Sequence, residues 1–260
     1  MLKKLALVAI SVIFVSCGGT STTGGNSGSA VQSTLGEAQG AYSGTSSSPN
    51  GSYFDAIILP DDTLYVIYGT RSGDIFYIGG MIKGTGRSDH GTYTTSWLGD
   101  FHYDGTSYNG TLTATYVVGS SFNGTLAENG TNISFNGTAM PTLEFNYKTP
   151  ASLSAVTGTW MGTFLDGTAG TIDISSNGNV SGTSGGCSFT GTISPDASKN
   201  FFKLSVTFGA SPCVLPNLTA NGIGVVALLP DGVTQQLIVV GTAIDVQRFA
   251  EYGTVFWASR

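Results

Sequence analysis

The sequence has 260 residues, a net charge of −6 and 10% charged residues, against roughly 25% in an average soluble domain. Glycine is frequent at 38 residues, but 40% of the chain is hydrophobic, which is enough to form a core. The acidic balance excludes nucleic acid as an expected partner, because a negative surface repels phosphate backbones. After the first sixteen residues, no apolar run approaches the ~18 residues of a membrane-spanning helix.

The first sixteen residues have the organisation of a secretory signal peptide. A short segment with two lysines precedes an apolar run from Leu5 to Val15. A run of about eleven residues suits a signal-peptide core and is too short to cross a bilayer of roughly 30 Å as a helix. An ordinary secreted protein, in which Cys17 has no special role, is the alternative interpretation.

The residues Phe14-Val-Ser-Cys-Gly-Gly resemble the lipobox of bacterial lipoproteins. That family has a small residue directly before the cysteine, as Ser16 is here, although it usually has Leu and Ala or Ser at the positions of Phe14 and Val15. The resemblance implies that Cys17 is acylated with diacylglycerol and palmitate, and that it anchors the mature chain to a membrane of the cell envelope. Gly18 after the cysteine, rather than Asp, resembles lipoproteins of the outer membrane.

Two further cysteines, Cys187 and Cys213, form an even pair. In an exported, oxidising compartment such a pair favours a disulfide, and a loop of about 26 residues makes it worth roughly 3 kcal/mol. Two free thiols are the alternative. The chain has no Cys-x-x-Cys spacing and no histidine near either cysteine, so we predict no metal site there.

Residues 17–36 are rich in Gly, Ser and Thr and are typical of a flexible tether. From there the pattern is β throughout, with short runs of β-branched and aromatic residues between turn residues. Asn-Gly or Asp-Gly occurs ten times, and such pairs accept the positive φ of tight hairpin turns. The strand candidates include Leu143–Tyr147 and the alternating Phe202–Phe208, and short helical turns are expected only near Ser152–Val156 and Asp245–Glu251.

An internal repeat divides the chain. Gly40–Thr45 and Gly158–Thr163 both read Gly-x-aromatic-x-Gly-Thr, and Pro150 lies in a connection between them. We predict an all-β protein with two small antiparallel β-barrel or sandwich domains, whereas one larger two-part sheet is the alternative. The predicted signal peptide, tether, first β domain and second β-barrel domain are residues 1–16, 17–36, 37–150 and 151–260.

A shorter regularity is the aromatic-Asn-Gly-Thr pattern around Asn109, Asn123 and Asn136. Its spacing of about 14 residues predicts a meander of adjacent strands, in which the glycines relieve crowding.

The start of the second half, Thr157-Gly-Thr-Trp160, resembles the Gly-x-Trp start of calycin-like barrels of the lipocalin and avidin type. Residues 151–260 also resemble the C-terminal barrels of surface lipoproteins of the transferrin-binding-protein type, which follow a lipobox and a Gly/Ser tether. The resemblance covers about 100 residues and depends on one short motif, the strand rhythm and the anchor. It implies an eight-stranded barrel whose closed end is plugged by Trp160, which becomes the candidate ligand-binding residue, with Arg260 placed to stack on it.

Three patterns could carry chemistry, and each has a simpler interpretation. Ser184 lies in a Gly-x-Ser-x-Gly match, but a strand follows it where a nucleophile elbow needs a helix. His90 and His102 have neighbouring aspartates, as a triad or metal site would need, yet the adjacent turn residues favour an exposed polar hairpin. The paired carboxylates of Asp61 and Asp62 are typical of a turn, because glycosidases need carboxyls that face across a cleft.

We therefore predict a lipid-anchored envelope protein that acts as a non-enzymatic binding or structural module, with no catalytic residue, no cofactor and no metal. Its expected partners are the membrane, through Cys17, and an unknown envelope protein, host protein or small ligand. The alternatives are a carrier of a small apolar ligand in the second barrel, and a hydrolase. Unfilled volume in that barrel would favour the carrier, whereas a core packed with Phe, Leu and Trp would exclude it.

Overall fold

The computed structural model describes residues 36–48, 52–72 and 75–260. These residues form two closed antiparallel barrels of eight strands each, which confirms the all-β prediction and selects barrels over sandwiches. The predicted signal peptide, Cys17 and most of the tether lie outside the described residues and stay predictions. Within the described part of the chain, no helix is long and apolar enough to span a membrane.

Barrel 1 is a meander in which each strand pairs with the next and the last strand returns to the first. Its strands are β1 (Gly40–Ser46), β2 (Tyr53–Ile58), β3 (Thr63–Ser72), β4 (Ile75–Asp89), β5 (Thr92–His102), β6 (Ser107–Val117), β7 (Ser121–Glu128) and β8 (Thr131–Ala139). Along β6, Leu112, Ala114 and Tyr116 are buried while the residues between them are exposed. This strand therefore has one face in the barrel interior and one in water.

Barrel 2 repeats the same topology, and its first strand pairs with both its second and its last strand. Its strands are β9 (Gly158–Phe164), β10 (Ala169–Ile174), β11 (Asn179–Ser184), β12 (Cys187–Pro195), β13 (Phe202–Phe208), β14 (Thr219–Leu228), β15 (Gln235–Asp245) and β16 (Ala250–Ser259). The four alternating apolar residues of β13 pack in the core of this barrel, as their pattern predicts.

Residues 140–157 connect the barrels, and the strand predicted at Leu143–Tyr147 is wrong, because this segment forms turns. The alternation that suggested a strand has another cause. Phe145 and Tyr147 are buried between the two barrels, and the Tyr147 hydroxyl donates a hydrogen bond to the Ile58 carbonyl at 3.0 Å.

The helix α1 (Leu153–Val156) agrees with the helical turn predicted at Ser152–Val156. The second predicted helical turn, Asp245–Glu251, is wrong, because these residues form the β15–β16 hairpin. The Asp245 carboxylate accepts hydrogen bonds from the backbone N–H groups of Gln247 and Arg248. A local side-chain bond of this kind favours a turn over a helix.

The outer faces of the barrels share a buried apolar core. It contains Ala41, Ile57, Leu59, Tyr65, Ile67, Met81 and Phe101 of barrel 1, Phe145 and Tyr147 of the connection, and Leu165, Phe201, Ile223, Val240 and Val255 of barrel 2. Lys83 adds a polar contact, with its Nζ 2.9 Å from Thr242 Oγ1 and 3.1 Å from Glu251 Oε1. Each barrel is thus closed on its own yet packed against the other, and the predicted domain limits at residues 150 and 151 stay a prediction.

The aromatic residues of the internal repeat occupy equivalent positions at one end of each barrel. Tyr42 and Trp160 are both fully buried. The Tyr42 hydroxyl donates to the Ala38 carbonyl at 2.9 Å, and Trp160 Nε1 donates to the Val156 carbonyl at 2.7 Å. Each ring therefore hydrogen-bonds the carbonyl four residues before it and closes its barrel at that end.

The second glycine of each repeat lies where the first and last strands of a barrel meet. A Cβ atom on Gly44 would lie 1.9 Å from the Asn136 carbonyl oxygen, and one on Gly162 would lie 2.0 Å from the Trp257 carbonyl oxygen. Because any side chain here would collide with backbone, the repeated glycine is required for barrel closure.

The Asn-Gly and Asp-Gly pairs have the two roles that the sequence suggested, in hairpin turns and at crowded positions within strands. The pairs starting at Asp104, Asn129, Asp166, Asn177 and Asp231 lie in turns, those starting at Asn109, Asn123, Asn136 and Asn221 lie within strands, and Asn50 lies outside the described residues. Within the strands, glycine is needed because the backbone of a neighbouring strand lies too close for a side chain. A Cβ on Gly124 would lie 2.2 Å from the Thr113 carbonyl oxygen. The predicted meander is confirmed, since β6, β7 and β8 are adjacent.

Candidate functional site

The Gly-x-Ser-x-Gly match is a hairpin turn, as predicted. Ser184 ends β11, and Gly185 and Gly186, both with positive φ, lead directly into β12. The Ser184 Oγ donates a hydrogen bond to the Ala169 carbonyl at 3.3 Å. A nucleophile elbow would require a helix after the serine, and a strand follows instead.

The two histidines lie at opposite ends of β5. His90 is in the β4–β5 turn, and its Nδ1 lies 2.6 Å from Asp89 Oδ1, with both side chains exposed. His102 is the last residue of β5. Among the residues that the structure describes, no three side chains of His, Cys, Asp or Glu converge as a metal site requires.

Asp100 and His102 face the interior of barrel 1, so the shared strand face is confirmed. The expected exposed hairpin is wrong for Asp100, which is only 2% exposed. Tyr68 of β3 donates its hydroxyl to Asp100 Oδ1 at 2.7 Å, and His102 Nε2 lies 3.4 Å from Asp100 Oδ2. Glu128, at the end of β7, lies close enough to Asp100 for the two carboxyl groups to share a proton. We refer to Tyr68, Asp100, His102 and Glu128 as the acid cluster.

Burial and the nearby charge of Asp100 raise the pKa of Glu128 from 4.5 to about 7. The hydrogen bond with Asp100 raises the pKa of His102, although burial of the imidazole opposes this. Burial also raises the pKa of the Tyr68 hydroxyl, and the charge of Asp100 adds to the effect. The carboxyl groups of the acid cluster therefore hold a proton more tightly than isolated carboxylates would.

A cavity of about 70 Å³ lies beside the acid cluster in the interior of barrel 1. Its apolar walls include Phe54, Val66, Ile82, Leu112, Phe122, Leu126 and Phe135. Within the described structure, the buried atom Glu128 Oε2 has no hydrogen-bond partner. The cavity thus combines an apolar body with an unsatisfied polar atom at one end.

The opposite end of barrel 1 is closed around Asp62. The pair Asp61–Asp62 lies in the β2–β3 turn, as predicted, but Asp62 is completely buried with a positive φ of 62°. Its carboxylate accepts hydrogen bonds from the backbone N–H groups of Gly36 and Ser88, at 3.1 and 2.8 Å, and from the Ser88 hydroxyl. The Tyr93 hydroxyl donates to the Asp62 carbonyl at 2.7 Å. Asp62 therefore ties the start of β1 to two turns.

The interior of barrel 2 is filled with side chains. Its core includes Trp160, Phe189, Phe202 and Phe256, and the remaining cavity is about 40 Å³. A pocket for a typical small ligand has roughly 300–1,000 Å³. By the criterion stated above, this packed core removes the support for a ligand carrier in the second barrel.

Trp160, the candidate ligand-binding residue, is covered rather than available to a ligand. The Arg260 guanidinium carbon lies 3.8 Å from the centroid of the Trp160 ring. The same guanidinium donates hydrogen bonds to the carbonyls of Thr157 and Ala155, at 3.1 and 3.2 Å. Arg260 stacks on Trp160 as expected, and the pair closes the barrel without lining its cavity.

A groove of about 570 Å³ lies between the two barrels. One wall is the β5–β6 hairpin of barrel 1, with Phe101, His102 and Tyr103, and the other walls are the β9–β10, β11–β12 and β13–β14 connections and the start of β16. His102 lines both this groove and the cavity of barrel 1. The imidazole therefore separates the two spaces.

A disulfide joins Cys187 and Cys213 at the rim of this groove, as predicted. It ties the start of β12 to the long β13–β14 connection, which has no regular secondary structure. Because a long loop would otherwise be free to move, the bond holds one wall of the groove against the barrel.

Comparisons with known proteins found only distant structural similarity. No protein-family model and no curated protein matches the chain. The isotype 1 transferrin binding protein B (TbpB) from serogroup B Neisseria meningitidis is similar to it at 14% identity and a TM-score of 0.29, covering 81% of this chain and 52% of that chain. A protein of unknown function from the DUF3598 family of Nostoc punctiforme is similar at 13% identity and a TM-score of 0.28, covering 85% of this chain and 94% of that chain. The chain spans about half the length of the TbpB chain, and similarity at this level carries no argument about activity or partner.

Sequence reasoning missed Glu128 as a member of the acid cluster and, although Tyr68 was a candidate for lining a pocket, did not pair it with Asp100. Glu128 reaches Asp100 through strand register, because Asp100 pairs with Tyr108 and Gly110 pairs with Glu128. No local pattern reports such a register. One feature of the sequence could have indicated the cluster: Asp100 follows Leu98 on the same face of its strand. A carboxylate at a core-facing position is expected to have a partner.

Proposed function

We propose that this protein is a non-enzymatic binding module, held at the bacterial cell envelope by a lipid on Cys17, whose groove between the barrels receives a protein partner. The support from the described residues is a set of exposed apolar side chains in and beside that groove: Tyr103 and Val214 line it, and Phe249 directly precedes Ala250, which also lines it. Exposed apolar side chains grouped beside a concave surface are typical of protein-binding sites.

The observation that carries this proposal is the position of Phe249. Its side chain is 95% exposed, at the tip of the β15–β16 hairpin, and its backbone has a φ of 52°. A bulky residue at positive φ is strained, and no contact within the described protein compensates for the exposure of the ring. A partner that buries the ring would account for both features.

Other exposed apolar side chains lie on the same rim. Val246 shares the hairpin tip with Phe249, while Val214 and Tyr103 line the groove itself. Their side chains are between 62% and 81% exposed. Together with Phe249 they form what we call the apolar rim, and its aromatic members, Phe249 and Tyr103, are of the type that is enriched at protein interfaces.

Site-specific photo-crosslinking in the bacterium that makes this protein tests the proposal. With a photoreactive amino acid at Tyr103, we expect a discrete protein adduct that Phe249→Asp abolishes. Val233→Asp is the matched control, because Val233 is 80% exposed on the β14–β15 connection, away from the groove. The absence of an adduct, or an adduct that Phe249→Asp leaves unchanged, would contradict a partner in the groove.

The anchor is tested separately by mass spectrometry of the mature N-terminus from isolated membranes. We expect an acylated Cys17 as the first residue, recovered with the outer membrane, and soluble protein for Cys17→Ala. An unmodified N-terminus would remove the anchor while leaving the binding proposal open to its own test.

The hydrolase alternative gains no support from the described residues. Ser184 and His102 line the groove from opposite barrels, but no hydrogen bond joins them. Ser184 donates to a backbone carbonyl, and His102 is paired with Asp100, so neither is arranged as a nucleophile with its base.

A further inference from the structure

The acid cluster in barrel 1 is short of positive charge. Asp100 and Glu128 are two carboxyl groups in contact, and no Lys or Arg of the described chain forms an ion pair with either. Of the basic side chains that the structure describes, only His102 lies beside them, and Asp104 adds further negative potential to it. Asp100 is buried and Glu128 is half-buried, and two carboxyl groups in contact in such a place are stable only with a shared proton or with a cation. A cation from outside the chain could therefore take the place of the shared proton.

The hydrogen-bonding pattern leads to the same conclusion. Asp100 Oδ1 already accepts the Tyr68 hydroxyl, but Glu128 Oε2 is buried without a donor. Buried polar atoms are rarely left unpaired, and here the free atom is an acceptor that faces a cavity. A group that carries both a positive charge and N–H donors fits this position.

The lining and the volume of the cavity limit the part of the ligand that extends beyond its charged group. Apart from Ser46, Ser48 and the acid cluster, the cavity walls are aliphatic and aromatic, and three phenylalanines contribute to them: Phe54, Phe122 and Phe135. Its volume of about 70 Å³ is roughly half that of the 150 Å³ cavity that accommodates benzene in a protein core. A short alkyl chain fits, whereas a hydrated metal ion would leave the apolar walls unused.

We propose that barrel 1 binds a small aliphatic primary amine, with its ammonium group between Asp100 and Glu128 and its alkyl chain among the phenylalanines. The ammonium replaces the proton that the two carboxyls share and donates to Glu128 Oε2. His102 lies on the side of the cluster that faces the groove, so the ligand reaches the cavity past the imidazole. The amine would therefore enter through the groove in which the protein partner is proposed to bind, but the amine site itself lies inside barrel 1 and is tested on the purified chain without that partner.

Isothermal titration of the full mature chain with n-propylammonium chloride at pH 7 tests this site. For so small a ligand we expect a Kd on the order of 1 mM. 1-Propanol has the same alkyl chain without the charge, and we expect it to bind at least tenfold more weakly. Titrations in phosphate and in MOPS, whose ionisation enthalpies differ, should show proton release, because the ammonium ionises Glu128.

Two variants locate the binding. Glu128→Gln keeps the shape of the side chain and removes its charge, and we expect it to weaken n-propylammonium binding at least tenfold while 1-propanol binding is unchanged. Ala56→Leu fills the cavity and should abolish binding of both probes, whereas Ala127→Leu, on the exposed face of β7, should abolish neither.

Equal affinity for 1-propanol and n-propylammonium would overturn the assignment of the head group. Binding that survives in Ala56→Leu would place the amine elsewhere. If wild-type protein shows no saturable heat with n-propylammonium at concentrations well above the expected Kd, the site does not bind amines. The comparison between probes uses wild-type protein, so it stands even if Ala56→Leu fails to fold.

Discussion

The two barrels have the same topology and the same starting motif, but their interiors differ. Barrel 2 is packed with aromatic side chains and carries the disulfide at its rim, whereas barrel 1 has a cavity and four polar side chains of the acid cluster. Their shared features, the buried aromatic ring and the glycine after it, concern closure. In this chain the repeated residues therefore close the two barrels, and the residues that differ between the halves determine whether a barrel interior is packed or holds a cavity.

The two closed ends also differ in how they are secured. Barrel 1 uses a buried carboxylate, Asp62, which binds backbone and side-chain donors from distant segments. Barrel 2 uses Arg260, an exposed cation stacked on Trp160. A buried charge with all its bonds in place is costly to disrupt, so the closure of barrel 1 is expected to be the more sensitive to mutation.

Asp62→Ala should have the largest effect on stability. It leaves the Gly36 and Ser88 donors without their acceptor, and we expect a loss of about 4 kcal/mol in the free energy of unfolding. Asp61→Ala is the matched control, because Asp61 is exposed on the same turn and its carboxylate accepts only the exposed Thr63 N–H among the described contacts, so we expect a loss of no more than about 1 kcal/mol. Urea denaturation measures both, and similar losses for the two variants would show that Asp62 has no special role.

Gly44→Ala and Gly162→Ala test whether closure is equivalent in the two barrels. Each added methyl group would overlap a backbone carbonyl, so we expect each to cost about 3 kcal/mol by overpacking. Gly224→Ala is the control, since a Cβ there would make ordinary contact with Ile193 at 3.4 Å. A large difference between the first two variants, measured by denaturation, would break the equivalence.

The dependence of stability on pH should come from barrel 1. The pKa of Glu128 is raised to about 7 in the folded chain, so the native state holds this proton more tightly than the unfolded state, and stability falls as pH rises from about 4.5 to 7. The raised pKa values of Asp55, at about 6, and His102 act in the same direction. Melting temperatures between pH 5 and 8 should fall less steeply for Glu128→Gln than for wild type. Asp166→Asn, on a turn of barrel 2, should retain the wild-type slope, and a wild-type slope in Glu128→Gln would refute the shift.

Tyr42→Phe should have the smallest effect. It removes the hydroxyl that donates to the Ala38 carbonyl but keeps the ring, and we expect a loss of about 1 kcal/mol. Tyr77→Phe, at an exposed position of β4, provides the baseline in the same denaturation experiment. A loss no larger than that baseline would show that the ring alone closes barrel 1.

Much of the architecture can be predicted from local pattern. The alternation in β13, the repeat around Tyr42 and Trp160, and the pairing of Cys187 with Cys213 depend on spacing that the sequence shows directly. The errors have a common cause, because they concern contacts between distant segments. The alternation at 143–147 reflects burial between barrels rather than pairing in a sheet, and the strand glycines respond to neighbouring backbone.

The candidate site also depends on contacts between distant segments, which local sequence patterns do not reveal. Asp100 and His102 could be placed on one strand face from sequence, but the direction of that face depends on how β5 sits in the closed barrel. Glu128 and Tyr68 join them only through strand register. The exposure of Phe249 likewise follows from the hairpin geometry, since its sequence neighbourhood suggested a helical turn.

The apolar core between the barrels has a consequence for how the chain is made. Barrel 1 is synthesised before barrel 2. Until barrel 2 has folded, Met81, Phe101 and their neighbours form an exposed apolar surface on the outside of barrel 1. Separating the halves at the gene level would make that temporary exposure permanent. Each half would then be prone to self-association, so expression, export and purification favour the pair as one unit.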